Sequence, residues 1–70
     1  MTTEERTTLK TMHARIVALA SIAEALSRDW DALSPTAEVS LAVGYPFADS
    51  FDEVAHNLHE WAAAQAARLQ

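Results

Sequence analysis

Eight residues, Leu9, Met12, Ile16, Leu19, Ala23, Leu26, Trp30 and Leu33, recur at spacings of 3, 4, 3, 4, 3, 4 and 3. This is an uninterrupted heptad, with Leu9, Ile16, Ala23 and Trp30 at a positions and Met12, Leu19, Leu26 and Leu33 at d positions. Only an α-helix keeps such a row on one side. Thr2, with Glu5 three residues later, has the composition of a capping box, and Glu4 and Glu5 suit the positive end of the helix dipole. Ser34 followed by Pro35 ends the row, because a proline disfavours helical backbone in the residue before it. The pattern predicts a helix over about residues 3–33, roughly 45 Å long at about 1.5 Å per residue.

The same segment that stops the first helix starts a second. Ser34 is an N-cap residue, Pro35 fits the first helical position and Glu38 lies in the first turn, which predicts a helix over about 35–43 with Gly44 as its left-handed C-terminal residue. Val39, Leu41, Val43, Tyr45 and Phe47 also alternate with period two, the pattern of a half-buried strand, so 39–47 is open between helix and strand. Ser50 and Glu53 mark a third start. Phe51, Val54, Ala55, Leu58, Trp61, Ala62, Ala66 and Leu69 then follow the helical period, which predicts a helix over about 51–69.

The expected fold is therefore all-α, a single small domain spanning 1–70, with the two shorter helices folded back antiparallel along the long one. Its core material is scarce. Of the 35 hydrophobic residues 15 are alanine, which leaves 20 with large apolar side chains. Chains below roughly 70 to 80 residues seldom gain more than about 3 to 5 kcal/mol from such a core without a disulfide, a metal or a partner. There is no cysteine, so neither a disulfide nor a thiolate zinc site is possible. Val17, Ala20 and Ile22 widen the apolar surface of the first helix beyond what one neighbour covers. The expectation is a homodimer, or a complex with another helical protein, in which the row from Leu9 to Leu33 is the dimer or core seam.

Charge is segregated along the chain. Residues 29–60 hold seven acids and no lysine or arginine, while the net charge is −5. Such a field repels phosphate backbones, so direct nucleic-acid binding is not expected, but it speeds encounter with a basic protein surface. The polar start MTTEERTTLK is not expected to act as a signal peptide, and no apolar run reaches the 18 or so residues of a membrane span. A cytoplasmic location is expected.

No catalytic pattern is present. A single glycine allows no phosphate-cradling loop, and no serine lies on a Gly-x-Ser-x-Gly elbow, so an enzyme is not expected and no cofactor is implied. Glu53-x-x-His56, followed by Glu60, has the spacing used by carboxylate-bridged metal bundles, and a metal-binding helical bundle is the alternative reading. It lacks the further inward-facing carboxylates such a centre needs. Tyr45, Phe47, Asp49, Asp52 and Trp61 instead form a candidate partner-binding set, aromatic anchors beside acids. The expected function is that of a small acidic regulator or inhibitor, of the kind phages encode, that occludes or scaffolds a larger and basic, nucleic-acid-processing protein. That final step is an analogy with a class of proteins.

Overall fold

The computed structural model describes residues 1–69, and of Leu69 only the backbone. It contains three helices, α1 (Thr3–Asp31), α2 (Pro35–Ala42) and α3 (Phe51–Leu69), with no strand among the described residues. The all-helical expectation therefore stands, and the period-two pattern of 39–47 does not produce a strand.

Each helix end follows from local chemistry. At the start of α1 the Thr2 hydroxyl accepts the Glu5 N–H at 3.1 Å while the Glu5 carboxylate reaches back to Thr2, which completes the capping box. The helix ends two residues before its apolar row does. The N–H groups of Ala32 and Leu33 bond to the carbonyls of Asp29 and Trp30, tightening the last turn, and Ser34 is extended ahead of Pro35. The Ser34 hydroxyl then accepts the Ala37 N–H at 3.3 Å and caps α2. After Ala42, Val43 (φ −61°, ψ 122°) and Gly44 (φ 79°) form a type II turn closed by the Tyr45 N–H on the Ala42 carbonyl at 3.0 Å. Gly44 is left-handed as its position predicts, although the motif is a turn and α2 stops one residue earlier than expected. Nothing lies within 4 Å of where a Cβ would sit there, so backbone conformation rather than space requires glycine.

Packing between helices is α1 against α3, antiparallel. The direction is visible in cross-helix pairs: Ser27 bonds Asp52, Glu24 bonds His59, and Trp61 lies beside Met12 and Leu19. The buried positions are small: Ala20, Ala23 and Ser27 on α1, Ala55 and Ala62 on α3. Alanine facing alanine lets the two backbones approach closely but removes little apolar surface from water. On α1 the side turned to α3 runs through Leu9, His13, Ile16, Ala20, Ala23, Ser27 and Trp30. These are the a row and the e row of the heptad. The d row, Met12, Leu19, Leu26 and Leu33, is turned away and is exposed.

Helix α2 does not lie along α1 as a continuation of α3. It buries no residue, and with the following loop it covers the end where α1 finishes and α3 begins. The molecule is a rod of 51 × 19 × 17 Å.

Candidate functional site

Two surfaces gather the candidate binding side chains. The first is at the α2 end. Trp30 meets Tyr45 edge to face at 5.6 Å between centroids and stacks on Phe51 at 6.0 Å, while Tyr45 meets Phe47 at 5.4 Å. The Tyr45 hydroxyl donates to the Asp49 carbonyl at 2.6 Å, which pins the loop across its own ring. Partial burial against these neighbours, and next the Asp49 carboxylate, raise the Tyr45 phenol above its ordinary value of 10. A cavity of about 200 Å³ opens beside this cluster, with Trp30, Tyr45, Phe51, Asp31, Glu38 and Asp52 in its wall and no basic side chain. Aromatic rings beside unneutralised carboxylates suit a positively charged group.

Of the five residues expected to bind a partner, Tyr45, Phe47, Asp49 and Asp52 meet at this end. Trp61 does not. It projects from α3 ten residues beyond Phe51, about 15 Å along the helix axis. Asp52 has a structural duty as well, accepting a hydrogen bond from the buried Ser27 hydroxyl. Tyr45 and Phe51 are the more buried rings, and Phe47, half exposed, is the more open one. The Ser27 contact had one legible signal: His13, Ala20 and Ser27 recur every seven residues beside the a row, the latter two small enough for a close helix contact.

The second surface is the outer side of the hairpin. Met12, Leu19, Ile22 and Leu26 run along α1, and Trp61 leans in from α3 over a shallow cavity of about 250 Å³ shared with Met12, Arg15, Ile16 and Leu19. Ile22 is 66% exposed and Trp61 50%, high values for residues of this type on an ordered helix. The opposite flank carries the Glu24–His59 pair (3.0 Å) and the Glu24–Arg28 pair (3.4 Å).

The alternative metal set does not converge. His56 pairs with Glu60 at 3.0 Å on open surface, Glu53 takes no part in that pair, and among the described residues no three His, Asp or Glu side chains are grouped to hold an ion. No described helix is long and apolar enough to cross a membrane.

Comparison with protein-family models, with curated proteins and with solved structures finds no match for this chain.

Proposed function

We propose that this chain is a non-enzymatic protein-binding module, a helical hairpin that becomes complete when a second helical surface covers its outer side. The observation that carries this reading is the apolar row of Met12, Leu19, Ile22 and Leu26 with Trp61 beside it, open to solvent on a chain whose own core is built from alanine. Contiguous exposed apolar surface of this kind marks interaction sites. The acid-rich aromatic end at Tyr45 and Phe47 is a second contact, fitted to a basic patch on a larger protein that the module would occlude or bridge. The acidic segment 29–60 supports a protein partner over a nucleic acid.

Sedimentation velocity at micromolar concentration, combined with capture from native lysate, tests the reading. The control is a Leu19→Ser/Ile22→Ser variant whose helicity is verified by circular dichroism. The wild type should self-associate or retain a partner that the variant loses. A folded, monomeric wild type that retains nothing more than the variant overturns the proposal.

A further inference from the structure

We infer that the outer side of α1 is the contact between two copies of this chain, packed antiparallel about a two-fold axis at Ile22. The inference rests on the protein-binding reading above and supplies the partner that reading leaves open. Surface area gives the first support. A compact monomer of 7.7 kDa exposes about 4,300 Å², whereas this chain exposes 5437 Å². Its radius of gyration is 15.4 Å, against about 11 Å for a compact chain of this length. The surplus of about 1,100 Å² exceeds the roughly 800 Å² that each partner contributes to a standard interface.

The order of residues on the exposed row says which occupant fits. Arg15, Ile22 and Asp29 lie one heptad apart on one line of α1, and all three are exposed. Leu19 and Leu26 stand three and four residues to either side of Ile22. Reversing the helix about Ile22 therefore leaves the apolar positions nearly unchanged and inverts the charges. In an antiparallel pair Ile22 meets the partner's Ile22, Leu19 lies beside the partner's Leu26, and Arg15 faces the partner's Asp29. Symmetry makes that ion pair twice. A parallel pair would set Arg15 against Arg15 and Asp29 against Asp29, a like-charge juxtaposition that disfavours it. The antiparallel arrangement also brings each Trp61, seated beside Met12 and Leu19, to the level of the partner's Leu26. The Glu24–His59 pair stays on the far flank, so no unpaired charge of that flank is buried.

The chain has no cysteine, which permits a direct test with single-cysteine variants of the full chain. Under mild oxidation Ile22→Cys should form covalent dimers readily. Arg15→Cys and Asp29→Cys should each remain uncrosslinked alone and crosslink when mixed; crosslinking of either alone would overturn the antiparallel register. In sedimentation equilibrium Arg15→Asp should weaken dimerisation about tenfold or more, and adding Asp29→Arg should restore it, with helicity followed throughout. A wild-type dimer indifferent to these charge changes refutes the register but leaves self-association standing. A wild type that is helical yet monomeric at micromolar concentration refutes self-pairing, and the broader protein-binding reading then stands or falls on the capture experiment.

Discussion

Replacing Ala20 by leucine reads out which side of α1 carries the intramolecular packing. Ala20 is 1% exposed and faces α3 on the e row, one position from the d-row Leu19, which is half exposed. A leucine at 20 adds three carbons where the backbones of α1 and α3 approach through Ala20, Ala23, Ala55 and Ala62. Overfilling a packed contact costs about 1 to 3 kcal/mol. A 70-residue domain holds only about 3.5 to 10 kcal/mol in total. At about 4 to 8 °C per kcal/mol for a domain of this size, a 2 kcal/mol loss lowers Tm by roughly 8 to 16 °C. Ala14→Leu supplies the control: the same change on the same helix, at an exposed f position facing neither α3 nor the d row. Leucine and alanine differ little in helix propensity, so Ala14→Leu should leave Tm within a few degrees. The assay is thermal unfolding followed by circular dichroism at one fixed protein concentration, so that any association contributes equally to all three proteins. Equal melting of Ala20→Leu and Ala14→Leu would refute the a/e contact and return the core to the a/d row.

Three further changes probe the local chemistry. Gly44→Ala must place an L-residue at φ 79°, so it should destabilise by about 1 to 2 kcal/mol in urea unfolding although no atom lies within 4 Å of the new methyl; a neutral result would mean the type II turn is not held. Thr2→Ala removes the hydroxyl that accepts the Glu5 N–H and should cost about 0.5 to 2 kcal/mol, with amide exchange quickening in the first turn of α1 and nowhere near α3. Tyr45 is the only tyrosine, so ultraviolet absorbance of the phenolate reads its titration alone. Because its folded pKa is raised, the folded state holds the proton more tightly than the unfolded chain. The stabilisation is full below pH 10 and is lost as pH rises through the folded value, so alkali should loosen the Trp30–Tyr45–Phe51 cluster. A titration midpoint at or below 10 would contradict the packing described for this ring.

Much of the backbone was legible from residues within a turn of one another. The capping box at Thr2 and Glu5, the Ser34–Pro35 junction and the left-handed Gly44 each depend on neighbours two to four positions away, and each sits where the pattern placed it. The candidate site was legible only in part. Tyr45, Phe47, Asp49 and Asp52 are close in sequence and met at one end, whereas Trp61, grouped with them by chemistry alone, lies along α3 beside Met12 and Leu19.

Sequence alone determined the first and third helices and the wide apolar surface of α1, and left 39–47 open between helix and strand. Tertiary structure decided which part of that surface is used internally. The heptad a row belongs equally to an a/d and an a/e contact, so periodicity could not choose between them. The choice fell to side-chain size: Ala20 and Ser27 on the e row let α3 approach through Ala55 and Ala62, while the longer Met12, Leu19 and Leu26 would hold it off. The large d-row residues Met12, Leu19 and Leu26 are thereby left facing outward, and the positions the hairpin buries are its smallest ones.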